Sequence, residues 1–386
     1  MRSVPYVANN DITLLESGST FFPTLLSAID AAKYEILYET YIYAEDQQAQ
    51  AVTEALIAAA KRGVKVRVLA DWFGTGNRAA KQLGVAFAQA CVHYRMFNPW
   101  FKRGVARSHR KIAVIDRDVA FVGGINTNDD RLCDYAPHAP LPAPRWDFAV
   151  QVRGPLVAVI HRESQAQWAR VGHLRLVHRI NLFREMRKPM PPLGERPMRA
   201  AFVVRDNLRN RRTIQRAYLQ AIGRARQRVV LATPYFAPGH KFRDALCRAA
   251  RRGVDVCLLI GVGEFRMQDA VAASYYPQLL AAGVRIVEYR KTQLHAKVAV
   301  VDDDWATVGS SNCDGLSLFV NQEANVVVRD VSFAASLANR LRQGIADGVP
   351  VNVDDLRKLS WVRRCGHEMA YLLYKLTMRV FTIAYA

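Results

Sequence analysis

Two stretches of this chain, SHRKIAVIDRDVAFVGGIN at 108–126 and LHAKVAVVDDDWATVGSSN at 294–312, carry the same residue types at the same offsets, 186 positions apart. His109, Lys111 and Asp116 match His295, Lys297 and Asp302, and Asn126 matches Asn312. One histidine two places before a lysine arises by chance; two copies, each followed by a glycine-containing turn and an asparagine, form a specific pattern. The doubling constrains the fold to two like halves. It extends upstream, where YEILYETYIY (34–43) and RGVKVRVLAD (62–71) match QRVVLATPYF (227–236) and RGVDVCLLIG (252–261). The helical segments AVTEALIAAAKRG (51–63) and FRDALCRAARRG (242–253) separate these apolar runs. Strands alternating with helices predict an α/β protein with a mixed sheet flanked by helices in each half.

Residues two apart on a strand share a face, which predicts His109 beside Lys111 and His295 beside Lys297. The runs IAVI (112–115) and VAVV (298–301) would anchor those strands in the core. A turn and a second strand would return Gly123-Gly124-Ile125-Asn126 and Gly309-Ser310-Ser311-Asn312 to the same pocket, glycine allowing a sharp turn or a close backbone approach. Two imidazoles, two ammonium groups and two amides around one point, without an acidic cluster, suit an anion. Histidines titrating near neutrality suit nucleophilic and acid–base roles. No carboxylate cage for magnesium and no Cys/His set for zinc is visible, so the expected chemistry is metal-independent attack on a phosphodiester, with no cofactor. Each histidine needs an orienting carboxylate. Asp147 in WDFAV and Glu323 in QEANV stand at matching places and are the candidates, with pairing inside a half or across the halves left open.

The chain has 386 residues, 51% of them apolar, enough for a large core. The division expected is a first half at 1–170, a basic linker at 171–200, a second half at 201–350 and a tail at 351–386. The formal net charge is +20, and residues 170–228 alone hold 16 Lys and Arg against 3 Asp and Glu. Such a balance attracts polyanions, either nucleic acid or an anionic membrane surface, and does not choose between them. The six cysteines form no C-x-x-C pair, which fits a reducing cytoplasm. No secretory leader is read at the N-terminus, and no apolar run of 18 residues predicts a transmembrane span. In the tail, Glu368, Lys375, Arg379 and Thr382 fall on one helical stripe amid apolar residues. That pattern suits either a helix lying in a membrane interface or one packed on the core.

The duplicated motif, with ILYETYIYAED, WDFAVQVRGPLV, RRGVDV and NQEANVVV, resembles the phospholipase D superfamily. Within it the chain is similar to the bacterial cardiolipin synthases, those of the B type most of all, over roughly residues 10–345. The resemblance implies two phospholipase D-like halves packed around a shared active site. It implies a phosphatidyltransferase that moves a phosphatidyl group from phosphatidylglycerol, or another phospholipid, to an alcohol. His109 would be the nucleophile and His295 the acid and base. Lys111, Lys297, Asn126 and Asn312 would hold the phosphate oxygens, with support from Ser310. Asp116 and Asp302 complete the signature and are expected to hold loops. Anionic phospholipids would be the partners, at the cytoplasmic face of a bacterial membrane and attached peripherally. A hydrolase or an endonuclease on the same scaffold, and a binding protein with a decayed site, are the competing readings. Two departures stand out: Gly124 replaces the serine found at 310, and CDYAPHAPLPAP (133–144), with His138, has no counterpart in the second half. That insertion could form a lid.

Overall fold

The computed structural model describes residues 4–134, 139–172, 198–358 and 360–383. The first half supplies strands β1 (Val7–Glu16), β2 (Glu35–Thr40), β3 (Lys65–Asp71), β4 (His93–Phe97), β5 (Ile112–Ile115), β6 (Val119–Gly123) and β7 (Phe148–Arg153). The second supplies β8 (Met198–Arg205), β9 (Arg228–Thr233), β10 (Asp255–Gly261), β11 (Arg285–Tyr289), β12 (Val298–Val301), β13 (Trp305–Gly309), β14 (Glu323–Arg329) and the short edge strand β15 (Val349–Pro350). Among the described residues these form one fifteen-stranded sheet in the order β15-β11-β10-β9-β12-β13-β14-β8-β1-β7-β6-β5-β2-β3-β4. From the central β8–β1 pair outward, the order is the same in both directions, except that the second half adds β15 at its edge. The sequence repeat is therefore a repeat of topology.

β2, β3 and β4 run parallel, as do β9, β10 and β11. Parallel neighbours need a crossover, which the helices Gln47–Lys61 and His240–Arg251 provide between the first pairs. Alternation along the strands sorts the apolar side chains into separate cores. Leu37, Val114, Val122 and Val150 share a central core with Val230, Val300, Val308 and Val326 of the other half. Helices Leu156–Val171 and Val331–Ala346 complete it with Leu156, Ile160, Phe333, Leu337 and Leu341. The alternate residues Ile36, Tyr38, Ala113, Ile115 and Phe121 face the first half's own helices, and Ala299, Val301, Val256 and Leu258 face the second's. Each buried aliphatic side chain stabilises by about 1.5–3 kcal/mol, so the shared core holds the halves in one register.

The motif aspartates sit in the hairpins β5–β6 and β12–β13, at positive φ of 52° for Asp116 and 51° for Asp302. A short polar side chain tolerates that conformation. Asp116 accepts the backbone N–H groups of Lys33, Tyr34 and Glu35 at 2.7–2.8 Å, and Asp302 those of Arg226, Gln227 and Arg228. Each thus ties its hairpin to the start of the neighbouring strand, β2 or β9, at the end of the hairpin away from the histidines.

The C-terminal helix Trp361–Ile383 packs on the helix Arg266–Ala281. Ala370 is buried and the rings of Tyr371 and Tyr275 meet edge to face at 5.5 Å, while Leu372, Leu376 and Val380 stay exposed. One face is thus packed and another open. No helix among the described residues is long and apolar enough to cross a membrane. Most of the basic linker, including PMPPLGERP, lies outside the described residues, as does His138. The flanks of that insertion form a small paired loop, with the Cys133 N–H donating to the Ala139 carbonyl at 3.0 Å.

Candidate active site

His109–Lys111 and His295–Lys297 run extended just ahead of β5 and β12, not within the ladder expected for them. Their backbones bond to the opposite half instead. His109 N–H donates to the Gln322 carbonyl and His295 N–H to the Trp146 carbonyl, both at 2.9 Å. Gln322 and Trp146 donate back to Arg107 and Gln293 at 2.7 and 2.9 Å. The expected alternation survives: His109 lies edge to face with Tyr41 at 4.8 Å between ring centroids, and Lys111 Nζ is 5.2 Å from the same ring. Arg110, between them, turns away to a buried ion pair with Glu39 at 3.1 Å.

Because Gln322 precedes Glu323 and Trp146 precedes Asp147, this backbone pairing crosses the orienting carboxylates. Glu323 Oε2 lies 3.1 Å from His109 Nδ1, and Asp147 Oδ2 lies 2.6 Å from His295 Nδ1. Each half therefore orients the other half's histidine. His109 Nδ1 also faces the Ser310 carbonyl at 3.0 Å. A carbonyl only accepts, so Nδ1 carries the hydrogen, and Nε2 of the neutral ring has the lone pair.

Lys111 Nζ donates to the His109 carbonyl at 2.8 Å, and Lys297 Nζ to the His295 carbonyl. Both lysines are buried. Burial pushes Lys111 down to about 7, with help from Lys297, and Lys297 down to about 8. Burial, then the neighbouring lysines, hold both histidines well below their ordinary value. Burial raises Asp147 to about 6 and Glu323 to about 8. The pocket thus holds its positive charge at a cost that a bound anion would offset. Sequence reasoning saw no acidic cluster, yet Asp134 and Glu264 also act on Lys297, and burial lifts Glu264 to about 7. Spread over distant loops, these carboxylates form no local sequence pattern. Among the described residues no group of three or more His, Cys, Asp or Glu is placed to hold a metal ion.

Asn126 and Asn312 each lie three residues past their returning strands, β6 and β13, and both are buried. Asn126 Oδ1 accepts from the Ile42 N–H at 3.2 Å, whereas Asn312 Oδ1 is buried without a partner among the described residues. The glycines serve close approach rather than a turn, since a Cβ on Gly124 would lie 2.3 Å from Asp147 Oδ1. The Ser310 hydroxyl is engaged with the carboxylate that orients His109. It donates to Glu323 Oε2 and accepts from the Ala324 N–H at 3.0 Å, because Glu323 needs a donor to hold its longer side chain. Asp116 and Asp302 lie outside the pocket, in their hairpins.

Three contributors escaped the sequence reading. Tyr41 lies in YEILYETYIY but shows no chemical signature there. Asp71 ends β3, where the second half has Gly261; it accepts the Ser108 N–H at 2.8 Å and steadies the run into His109. Arg145 is buried against Asp134 at 2.8 Å and beside Gln293.

Two histidine–lysine pairs facing one pocket from the halves of a doubled α/β sheet define a phospholipase D-like phosphoryl-transfer centre. The family description "Cardiolipin synthase, PLD-like domain" matches residues 25–134 and 218–344, one segment from each half. Cardiolipin synthase B of Salmonella typhi is 39% identical over 362 residues, covering 91% of this chain and 84% of that protein. Cardiolipin synthase A of Pseudomonas aeruginosa (strain LESB58) is 30% identical over 387 residues, covering 97% and 74%. The crystal structure of phosphatidylserine synthase from Haemophilus influenzae Rd KW20 has the same fold, with a TM-score of 0.72 at 14% identity over 98% of this chain and 97% of that one. The chain belongs to the cardiolipin synthase family of phospholipase D-like proteins. It is an enzyme of that class, a phosphatidyltransferase.

Proposed function

We propose that this enzyme makes cardiolipin from two phosphatidylglycerol molecules by way of a phosphatidyl-histidine at His109. His109 Nε2 attacks the phosphorus of the first lipid, the bond to its glycerol headgroup breaks, and protonated His295 gives that glycerol a proton. The headgroup hydroxyl of the second lipid then loses its proton to His295 and attacks the same phosphorus, and the nitrogen–phosphorus bond breaks. Lys111, Lys297, Asn126 and Asn312 hold the nonbridging oxygens, whose charge is stabilised by donors already in place. The phosphate also restores the proton affinity of His295 that burial and the lysines depress. Exclusion of water from the pocket favours transfer over hydrolysis. Asp147 and Glu323 orient the rings, while Asp116 and Asp302 act outside the pocket as staples of the fold. The basic surface draws the enzyme to the anionic cytoplasmic face of the membrane as a peripheral protein.

The observation that carries this reading is the crossed pairing of both histidines through Nδ1, which leaves both Nε2 atoms to the phosphate. The test supplies purified enzyme with phosphatidylglycerol in mixed micelles and excess EDTA, and reads products by mass spectrometry. Cardiolipin formed despite EDTA, and absent with His109→Ala and His295→Ala, is the expected result. Phosphatidic acid as sole product would make the protein a hydrolase. Cleavage of added DNA with no lipid product would make it a nuclease.

A further inference from the structure

A largely apolar cavity of about 210 Å³ lies in the second half, between the segment after β9, the helix Arg266–Ala281 and the C-terminal helix. Its walls include Tyr235 and Phe236 after β9, Val271 of the helix Arg266–Ala281, Leu316, and Leu373 and Met378 of the C-terminal helix. Apolar cavities take apolar ligands. The inner end adjoins the reaction centre. Phe236–Ala237 pairs in parallel with Cys313–Asp314, the two residues that follow Asn312, and the Asp314 carboxylate holds the Asn312 side chain. The outer end reaches the surface at Met267, 64% exposed, and Leu373, 49% exposed. Leu376 and Val380 continue the apolar surface along the helix.

The helix is held in place. The Tyr374 hydroxyl accepts the Gly315 N–H at 2.7 Å and donates to the Ala237 carbonyl at 3.1 Å, bonding to both strands beside Asn312. Gly315 has no room for a side chain, because an added Cβ would come within 2.7 Å of that hydroxyl. The C-terminal helix is thus fastened to the loop that carries a phosphate-site residue, and the cavity lies under it.

We propose that this cavity is an acyl-chain site: it takes part of one fatty-acyl chain of the phospholipid whose phosphate lies between His109 and His295. The proposal rests on the phosphatidyl-transfer reading above. The wall includes Asp314, two residues beyond Asn312, and its outer residues Met267 and Leu373 are exposed, so a chain lying in it would run from the loop that carries Asn312 to an apolar surface. The walls are mostly methyl, methylene and aromatic groups, with Gln268, Thr377 and the Asp314 carboxylate as the polar exceptions, and that balance favours a chain over a headgroup.

The test compares dioleoyl- and dihexanoyl-phosphatidylglycerol, each dilute in detergent micelles of one composition, with Leu373→Trp and Met378→Trp filling the cavity. Met369→Trp, exposed on the same helix and outside the cavity wall, is the control. With either cavity variant, the ratio of long-chain to short-chain kcat/KM should fall about tenfold, as expected for losing burial of roughly two methylenes. The control should keep the wild-type ratio. An unchanged ratio in both cavity variants, or an equal fall in the control, would overturn the acyl-chain site while leaving phosphatidyl transfer intact. No transfer from either lipid by the wild-type enzyme would instead remove the reading beneath it. Melting temperatures show whether the variants fold, and Leu373→Phe is a milder filling should Leu373→Trp not fold.

Discussion

In the first half, Asp147 lies against Gly124; in the second, the longer Glu323 is held by the Ser310 hydroxyl. Since the carboxylates cross, His109 has Glu323 and the Ser310 carbonyl at Nδ1, whereas His295 has Asp147 at the same atom. The repeat has kept its lysines and asparagines and diverged in the groups that hold the rings. A carbonyl partner keeps His109 in the tautomer with a free Nε2 lone pair, which suits a nucleophile. Asp147, raised to about 6 against about 8 for Glu323, is the more readily ionised partner and the better support for an imidazolium at His295. The difference favours the division of roles that sequence symmetry cannot make.

The largest expected effect would break this division outright. Removing either histidine should lower turnover by about 10⁴-fold or more, because nucleophile and base act as one unit. Mixed with a phosphatidyl p-nitrophenol, whose headgroup leaves without a proton, His295→Ala should accumulate a phosphatidyl adduct seen by intact-protein mass spectrometry, and His109→Ala should not. An adduct on His109→Ala alone would exchange the two roles.

Next come the carboxylates, as positioning residues. Asp147→Asn should lower kcat by about 10³-fold and Glu323→Gln by about 10²-fold, with KM little changed in both, because each loses orientation of a ring rather than substrate contact. The kcat pH profile should lose its His295 limb in Asp147→Asn alone. Equal losses with equal pH profiles would erase the distinction between the halves.

The small residues sharpen the comparison further. Gly124→Ser should cost about 10²-fold in kcat, since its side chain would displace Asp147, and Ser310→Gly only about tenfold, since of the two hydrogen bonds its hydroxyl makes only the one to Glu323, worth about 1–1.5 kcal/mol, bears on the His109 ring. Steady-state kinetics on both variants reads this order. A reversed order would mean that Ser310 touches substrate.

The hairpin aspartates should behave alike, as their like positions demand. Asp116→Asn and Asp302→Asn should each destabilise by about 1–2 kcal/mol through weakened bonds to backbone N–H groups, with kcat nearly unchanged. Urea unfolding and turnover measured together separate this from a catalytic role.

The smallest effect concerns pH. Folding holds Lys111 at about 7 against an ordinary 10.5, so between those values the unfolded chain binds a proton that the folded chain has released. Stability from this group therefore rises with pH across that window. Lys111→Met should flatten the rise in melting temperature between pH 7 and 10. An unchanged slope would mean that Lys111 keeps its proton in the folded state.

Much of the fold was legible before any coordinates. The runs around YEILYETYIY and RGVKVRVLAD became β2 and β3, and their matches became β9 and β10. Apolar periodicity is local, and so is the hydrogen bonding of helices and the alternation of strands. Asp116 and Asp302 could be read as loop holders from their place in the motif, but the backbones they hold, 81–83 and 74–76 residues away, were not legible. Asp147 and Glu323 were visible as candidates by their matching places after each motif. Their partners were not visible, nor were Tyr41, Arg145 and the cavity under the C-terminal helix.

By itself the sequence determined that there are two like halves, which residues are the candidates for phosphate chemistry, and that a net charge of +20 would attract an anionic partner. Tertiary structure decided which carboxylate serves which histidine. Glu323 stands 214 residues from His109 along the chain, and Asp147 stands 148 from His295. Periodicity reports which face of its own strand a residue occupies and is silent on what another strand brings to that face. Only the pairing of β8 with β1 and the filling of the shared core set one half against the other, and those are long-range packing events.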